Sequence, residues 1–152
     1  MKKLRDIMRP DFLFTVQRDA MVTDAVRLMA ERNVGIVSVL DGSRLVGVLS
    51  ERDVVRRVVD TGRDPARTSV MEVMTVGVIV ADPDDDYQSA IRQMDDANIR
   101  HLLVVRDGRM LSMVSIRDLI RVDIHDKSEE LRYLREYLYQ VPPDIAVRHA
   151  AA

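Results

Sequence analysis

The chain repeats itself at an offset of 65 residues, and this internal repeat constrains the fold more than any other feature. Between residues 33–57 and 98–122, seven of 25 aligned positions are identical and most others pair apolar with apolar. With three upstream pairs, the identical positions are Ala25/Ala90, Arg27/Arg92, Met29/Met94, Asn33/Asn98, Val39/Val104, Arg44/Arg109, Ser50/Ser115, Arg52/Arg117, Asp53/Asp118 and Arg56/Arg121. Such a repeat predicts two copies of one supersecondary unit that share a core, because neither copy is expected to bury its apolar face alone.

Each copy predicts the order strand, helix, strand, strand, helix. Apolar residues recur at helical spacing in "VTDAVRLMAERN" and "YQSAIRQMDDAN". Asn33 and Asn98 follow these helices, where a residue that tolerates the left-handed conformation ends a helix. Two apolar runs joined through Asp-Gly then predict a hairpin in each copy. The Asp-Gly pairs lie 66 residues apart, so the two turns are predicted to differ by one residue of register.

This order predicts an α+β fold in which two pseudo-symmetric repeats pack through their sheets. The predicted boundaries are 1–61 for repeat 1, 62–123 for repeat 2, and 124–152 for a C-terminal helix with a loose tail. In the last segment Leu131, Leu134 and Leu138 form one helical stripe, and Pro142-Pro143 is expected to end the helix. The stripe is expected to pack either on its own module or on a partner subunit, with the partner favoured.

Composition narrows the classes of protein. Hydrophobic residues make up 47% of the 152 positions and charged residues 32%, which predicts an ordinary folded domain. The net charge of −2 gives no electrostatic argument for nucleic acid or an anionic membrane as the main partner. The chain has no cysteine, which excludes disulfides, thiol nucleophiles and thiolate metal sites. No apolar run is long enough for a signal peptide or a membrane span, so we expect a soluble cytoplasmic protein.

A Ser-x-Arg-Asp corner follows the hairpin in each copy, as "GVLSERD" and "SMVSIRD". One interpretation is a capping box, in which the serine caps the following helix and the acid reaches back to a free N–H. The other interpretation is a nucleotide site. A carboxylate there can accept two hydrogen bonds from the cis-diol of a ribose, while serine donates and arginine supplies positive charge to phosphate. One copy of the corner cannot separate these two interpretations.

The two copies together resemble a tandem pair of CBS domains, the unit called a Bateman module. The stretches that carry the resemblance are "VTDAVRLMAERNVGIVSVLDGSRLVGVLSERDVV" and "YQSAIRQMDDANIRHLLVVRDGRMLSMVSIRDLI", and the likeness covers about residues 4–123. The resemblance implies a pair that packs through its sheets and leaves two clefts for adenosine-containing ligands. It also implies a homodimer, since modules of this family usually pair into flat dimers.

The resemblance assigns site residues position by position. Asp53 and Asp118 match the ribose-binding aspartates of the family. The remaining matches are Ser50 and Ser115 for the hydroxyl position, Arg52 and Arg117 for phosphate, Val34, Gly35, Ile36, Ile99, Arg100 and His101 for the strand that lines the adenine and phosphate region, and Val16 and Val80 beside the base. Where the family often has proline, this chain has Ser38 and Leu103.

The copies differ from each other, which predicts unequal sites. Copy two has Arg100 and His101 where copy one has Gly35 and Ile36. Copy one has Glu51, which adds negative charge near any phosphate. Adjacent strand residues face opposite ways, so one residue of each pair is expected to point into a cleft. We therefore expect the phosphate end of a ligand to lie nearest Arg100, His101 and Arg117.

Other candidate sites have simpler interpretations. His101, His125 and His149 share no ligand spacing, so no metal site is predicted. The acidic run "ADPDDDY" is typical of a helix start favoured by the helix dipole rather than of a cation loop. The nine methionines fall mostly on apolar faces and are expected to fill the core.

These observations predict a non-enzymatic sensor. It would bind an adenine nucleotide or related adenosyl ligand (AMP, ADP, ATP, NAD or S-adenosylmethionine) as a regulator, require no cofactor, and signal to an effector protein through a population shift. No nucleophile with an identifiable base and no Gly-rich phosphate loop is present. The first alternative is a dimerisation or scaffold module whose aspartates only cap helices, and the second is an enzyme or nucleic-acid binder.

Overall fold

The computed structural model describes residues 1–10 and 12–139, and both repeats have the predicted order of elements. In chain order the elements are α1 (Leu4–Ile7), β1 (Thr15–Gln17), α2 (Val22–Arg32), β2 (Ile36–Asp41), β3 (Arg44–Ser50), α3 (Glu51–Val54, continued by one π-helical turn, Val55–Val59), α4 (Val70–Val73), β4 (Val80–Ala81), α5 (Tyr87–Asp96), β5 (His101–Arg106), β6 (Arg109–Ser115) and α6 (Ile116–Tyr139). The fold class is α+β, as predicted.

Each repeat forms a three-stranded sheet with the same topology. The sheets have the orders β1-β2-β3 and β4-β5-β6. In each, the opening strand runs parallel to the middle strand, which pairs antiparallel with the last strand. Both hairpins also carry a register shift at the same place in the repeat, between Val39 and Leu40 and between Val104 and Val105. The internal repeat in the sequence is therefore a structural repeat.

Both predicted left-handed helix ends are confirmed. Asn33 has a φ of 52° and Asn98 has a φ of 51°, so the two helices that precede β2 and β5 end in the same way. Asparagine tolerates this region better than most residues because its short polar side chain can bond locally.

The hairpin turns keep the offset of 65, which the Asp-Gly pairs do not. Asp41 pairs with Arg44 and Arg106 pairs with Arg109, so each loop has two residues at equivalent positions. In repeat 1 the first loop residue is Gly42, with a φ of 63°. In repeat 2 the loop is Asp107-Gly108, and both residues have positive φ, as a type I′ turn requires. The predicted shift of register is therefore a difference in the position of Asp-Gly within the turn.

The short leading helices are exchanged between the repeats. Leu4 of α1 is fully buried in the core of repeat 2, and its N–H donates to the carbonyl of Asp85 at 3.0 Å. Val70 of α4 is fully buried in the core of repeat 1, and its N–H donates to the carbonyl of Ala20 at 2.8 Å. Each core is thus closed by a helix from the other part of the chain, and this exchange brings the segments after α1 and α4 across the opposite repeat.

The acidic segment before α5 is bound within the fold. The Arg106 guanidinium contacts the carboxylates of both Asp82 and Asp84, and its hydrogen bonds hold the pKa of each carboxyl below its usual range. The side chain of Asp86 accepts a hydrogen bond from the N–H of Ser89 at 3.1 Å and caps α5. The segment therefore begins a helix and pairs with a cation.

The last helix is longer than the sequence predicts. A short helix after β6 and a separate C-terminal helix form one continuous element, α6, of 24 residues. Its first turns pack on repeat 2 through Leu119, which is fully buried, whereas every residue from Lys127 to Tyr139 is exposed. The predicted helix end at Pro142-Pro143, the loose tail and His149 lie outside the described residues.

Candidate functional site

The corner of repeat 1 is a complete capping box. The N–H of Asp53 donates to the hydroxyl oxygen of Ser50 at 3.1 Å, and the N–H of Ser50 donates to Oδ2 of Asp53 at 3.0 Å. The N–H of Glu51 donates to the carbonyl of Gly35 at 2.9 Å, which ties the corner to the start of β2. The capping interpretation is therefore confirmed for Ser50 and Asp53. It leaves Oδ1 of Asp53 outside the box.

The segment after α4 supplies another contact to Asp53. The Thr75 hydroxyl lies 3.0 Å from Oδ1 and 3.1 Å from Oδ2 of Asp53. The carbonyl of Met74 accepts a hydrogen bond from Arg57 Nη1 at 2.8 Å, and this guanidinium nitrogen lies 3.9 Å from Oδ1 of Asp53. Asp53 is only 8% exposed, and the segment that crosses from the other repeat provides part of its cover.

A glycine allows this close crossing. Thr75 pairs with Val48 of β3 through two backbone hydrogen bonds of 3.0 and 2.8 Å. A Cβ added to Gly47 would lie 2.7 Å from the carbonyl oxygen of Thr75 and 2.8 Å from Sδ of Met74. A side chain at position 47 would therefore push the crossing segment away from β3 and would carry the Thr75 hydroxyl away from Asp53.

A cavity of about 360 Å³ opens beside this corner and is lined by both repeats. Its polar side includes Asp53 and Arg52 of repeat 1 with Arg100 and His101 of repeat 2. The complete lining is Gly35, Ile36, Val48, Ser50, Glu51, Arg52, Asp53, Thr75, Gly77, Val78, Ile79, Asn98, Ile99, Arg100, His101, Leu103 and Met113. Residues from β3, β5 and β6 share this cavity, so it lies where the two sheets face each other.

His101 is the buried titratable group of this cavity. Burial lowers the pKa of its imidazole below the ordinary value, because desolvation disfavours the charged form. The carboxylates of Asp118 and Glu51 act in the opposite direction, and Arg100 adds to the lowering. The imidazole therefore lies within the electrostatic influence of acids from both corners.

The corner of repeat 2 keeps the backbone frame but not the complete box. The N–H of Asp118 donates to the hydroxyl oxygen of Ser115 at 3.1 Å, and the N–H of Ile116 donates to the carbonyl of Arg100 at 2.9 Å. Asp118 is half-buried. Within residues 1–10 and 12–139, no hydrogen bond to its carboxylate is found. The cap is confirmed for Ser115, while the acid does not reach back to the backbone.

A smaller cavity, of about 240 Å³, lies beside Asp118. The segment after α1 forms one wall, with Ile7, Met8, Arg9 and Phe12, and the rest of the lining is Met113, Val114, Asp118, Arg121 and Val122. The Arg9 guanidinium carbon lies 5.2 Å from the centre of the Phe12 ring, so these two side chains stack in the region that corresponds to Thr75 and Val78 in repeat 1. The two clefts therefore differ in size and in lining.

The structure brings together most of the residues that the sequence singled out. Those that line the larger cavity are Ser50, Arg52, Asp53, Gly35, Ile36, Ile99, Arg100 and His101, and Asp118 lines the smaller one. Val34, Ser115 and Arg117 line neither of these two cavities. Val16 and Val80 also lie outside both: Val16 packs on the core of repeat 1, and Val80 is 42% exposed.

The residues that sequence reasoning missed come from the segment between α4 and β4. Thr75, Gly77, Val78 and Ile79 line the larger cavity, one to five residues before Val80. A signal for them exists in the sequence, because the repeat continues upstream when its offset changes from 65 to 66. At that offset Met8 matches Met74. The exchanged segments could therefore have been aligned, although their crossing to the other repeat could not.

Two other classes of site receive no support from the described part of the chain. No helix within it combines the length and the apolar character that a bilayer span needs. No group of three or more histidine, aspartate or glutamate side chains within it is arranged to hold a metal ion.

Comparison with known proteins gives a consistent picture. The model of the CBS domain family matches residues 4–60 and 70–125. The mitochondrial CBS domain-containing protein CBSX3 of Arabidopsis thaliana is 36% identical over 125 residues, which covers 79% of this chain and 61% of that protein. The chain thus spans about three fifths of the length of this relative.

Solved structures extend the comparison to three dimensions. A putative signal-transduction protein with CBS domains from Burkholderia ambifaria superposes with a TM-score of 0.78 at 33% identity, covering 82% of this chain and 96% of the other. CBSX2, solved in complex with AMP, superposes with a TM-score of 0.70 at 24% identity, covering 84% of this chain and 99% of the other. Two matched domains in tandem agree with the two repeats of the fold.

Proposed function

The chain belongs to the CBS domain family, and from that premise we propose that it is a regulatory module that binds one adenosine-containing ligand between its two repeats. The observation that carries the proposal is the shared cavity. It combines a buried carboxylate, Asp53, with cationic or titratable side chains from the opposite repeat, Arg100 and His101. Its volume of about 360 Å³ also falls within the range of about 300–1,000 Å³ that is typical of ligand pockets.

The chemistry of the lining suits the three parts of a nucleotide. The Asp53 carboxylate can accept hydrogen bonds from two adjacent ribose hydroxyls, and a charged acceptor makes such bonds strong. Arg52, Arg100 and His101 offer donors and positive charge to phosphate. The apolar side chains Val48, Val78, Ile79, Leu103 and Met113 offer a surface for a planar base. That CBSX2 was solved with AMP supports AMP as the first ligand to test.

We propose a single nucleotide site in each chain rather than two equal sites. The cavity beside Asp118, of about 240 Å³, is smaller than typical ligand pockets, and the stacked Arg9 and Phe12 occupy one of its walls. This sharpens the expectation of unequal sites. The phosphate end of the ligand would lie at Arg100 and His101, without Arg117, which lines neither cavity.

Binding would couple the ligand to the arrangement of the repeats. A ribose that takes both oxygens of Asp53 must compete with the Thr75 hydroxyl, which reaches Asp53 from the segment leading into repeat 2. The ligand thus stabilises whichever arrangement of the two repeats fits it best, and an effector protein reads that population. A cytoplasmic homodimer, without catalytic activity of its own, completes this proposal.

Isothermal titration with AMP, ADP, ATP, NAD and S-adenosylmethionine tests the site directly. We expect one ligand of this class to bind with a stoichiometry of one per chain. Asp53→Ala should weaken it by at least about 100-fold, because two charge-assisted hydrogen bonds of roughly 1.5–3 kcal/mol each are lost. Asp118→Ala is the matched control and should change the affinity by less than about threefold. Normal binding by Asp53→Ala would contradict the ribose assignment.

The phosphate end has its own test. Arg100→Ala should weaken AMP by about tenfold while leaving adenosine unchanged, because the charge that it removes interacts only with the phosphate. If no ligand of the panel stabilises the chain against heat, the scaffold alternative replaces the sensor. Saturation at about a hundred times the Kd would otherwise add roughly 2.7 kcal/mol to the free energy of unfolding. Turnover of any of these ligands would identify an enzyme instead.

A further inference from the structure

Helix α6 has two apolar faces, and the fold uses only one of them. Leu119 is fully buried and Val122 packs beside it on the core of repeat 2. The second face, here called the outer stripe, consists of Ile120, Ile124, Leu131, Leu134 and Leu138, which are 43%, 61%, 57%, 45% and 71% exposed. The inner face stops at Asp126, whose carboxylate accepts from the hydroxyl of Tyr87, but the outer stripe continues to the end of the described helix.

The second half of α6 projects from the body without support from its own chain. All 13 residues from Lys127 to Tyr139 are exposed, and at 1.5 Å per residue they extend the helix by about 20 Å. A helix of this length is marginal in water by itself, because most helical stability in proteins comes from packing of an apolar face. Continued helix here indicates that another surface covers the outer stripe.

The spacing of the outer stripe is that of a two-stranded coiled coil. Its residues follow intervals of four, seven, three and four, which place them all on the two seam positions of a seven-residue repeat. One further seam position is occupied by Lys127. Its ammonium is turned back to Asp123 on the same helix at 2.7 Å, so it leaves the seam without an apolar residue there but does not block it.

The charges beside the seam identify the partner and its direction. On one flank lie the acids Asp123 and Glu130, and on the other flank lie the bases Arg121 and Arg135. In a parallel pair of identical helices, the flanks face each other with an offset of five residues, which brings Glu130 of each copy beside Arg135 of the other. In an antiparallel pair, each flank faces its own kind, so acid would meet acid and base would meet base.

We propose that the outer stripe of α6 pairs in parallel with the outer stripe of a second copy of this chain. The pair forms a short coiled coil that holds two modules side by side at their C-terminal ends. The two described residues that set the direction, Glu130 and Arg135, form no ion pair with other described residues, and they are available to the second copy. This proposal is independent of nucleotide binding, which is measured separately.

Sedimentation equilibrium of the full chain tests the pairing. We expect a dimer, and we expect Leu134→Lys to convert it to a monomer because the charge enters the seam. Glu136→Lys, which changes charge on the side opposite to the seam, is the control and should remain a dimer. A monomeric wild-type chain overturns the proposal. So does a Leu134→Lys variant that is still dimeric, since a different surface would then hold the copies together.

Charge exchange tests the direction. Glu130→Arg and Arg135→Glu should each weaken the dimer by roughly tenfold, because each places like charges at two symmetric contacts. The double variant restores opposite charges and should recover the affinity of the wild-type chain. Single variants that pair as tightly as wild type overturn the parallel arrangement.

A cysteine cross-link provides a second measure of direction, and the absence of native cysteine makes it unambiguous. Leu138→Cys places one thiol at the seam, and a parallel pair brings the two thiols within the Cα separation of about 4.4–6.8 Å that a disulfide needs. We expect near-complete cross-linking under mild oxidation. Failure to cross-link in a dimeric sample overturns the parallel pairing, because an antiparallel pair holds these two positions far apart.

Discussion

The acidic corners of the two repeats have one backbone frame and two different environments. In each repeat a serine hydroxyl caps the helix at 3.1 Å, from the N–H of Asp53 in repeat 1 and of Asp118 in repeat 2. Only the Asp53 carboxylate also reaches back to the backbone and accepts from the Thr75 hydroxyl. Duplication has preserved the local geometry of the corner, while the segment that crosses over it decides what the carboxylate does.

The crossing segments differ because of one residue in the strand beneath them. At the position where β3 has Gly47, β6 has Ser112. The Ser112 hydroxyl is fully buried and donates to the carbonyl of Arg9 at 2.6 Å, so a side chain fills the space between the strand and the crossing segment. In repeat 1 no side chain intervenes, and Thr75 pairs directly with Val48. The close crossing allows Thr75 to reach Asp53.

The largest difference should come from placing alanine at both of these equivalent positions. Gly47→Ala should lower the free energy of unfolding by about 3 kcal/mol, since its Cβ would overlap the carbonyl of Thr75 and force the crossing segment outward. Ser112→Ala removes one buried hydrogen bond and should cost about 1 kcal/mol. Urea unfolding of both variants measures the comparison. Equal losses would show that the crossing is no tighter in repeat 1 than in repeat 2.

A smaller difference should separate the two aspartates in the ligand-free protein. Asp53→Ala removes the acceptor of the Ser50 N–H and of the Thr75 hydroxyl, so it should lower the free energy of unfolding by about 2 kcal/mol. Asp118→Ala removes an acid without a hydrogen bond among the described residues, and its cost should stay below about 0.5 kcal/mol. Thermal unfolding at neutral pH measures both. A loss at Asp118 that matches the loss at Asp53 would mean that both acids stabilise the fold equally.

The repeat made much of the fold predictable from the sequence. Helix spacing, the left-handed positions of Asn33 and Asn98, and the paired hairpins are local features, and local features depend on nearby residues that the sequence displays directly. The meeting of Asp53 with Arg100 and His101 followed from the resemblance to a family, since it depends on how the two sheets face each other.

Long-range contacts account for what the sequence did not reveal. Thr75 reaches the cavity only because α4 is exchanged onto the core of repeat 1, and no local pattern announces that exchange. Val16 and Val80 were assigned beside the base by alignment, whereas the segment that precedes β4 takes that place. The continuity of α6 was missed for a related reason: its outer stripe begins inside repeat 2, where the sequence reads as a separate short helix.

His101 connects the two corners, and its titration gives the smallest of the three differences. The imidazole lies within reach of the carboxylates of Glu51 beside one corner and Asp118 in the other, with the Arg100 guanidinium next to it in the chain. Burial dominates and lowers the pKa of His101 in the folded protein below its unfolded value of about 6.5. The folded state therefore binds a proton less readily than the unfolded state does.

The sign of the pH dependence follows from this order of pKa values. As the pH falls through about 6.5, the unfolded chain takes up the proton first, so the free energy of unfolding decreases and levels off once the folded imidazole is also protonated. His101→Gln should remove this decrease, while His125→Gln, at an exposed position of α6, should retain it. Urea unfolding between pH 8 and pH 5, a range about the unfolded pKa, measures the difference. Because Asp118 opposes the effect of burial, Asp118→Asn should lower the pKa of His101 further and steepen the decrease. An Asp118→Asn variant with the pH dependence of the wild-type chain would show that the acid of repeat 2 does not influence the cavity beside Asp53.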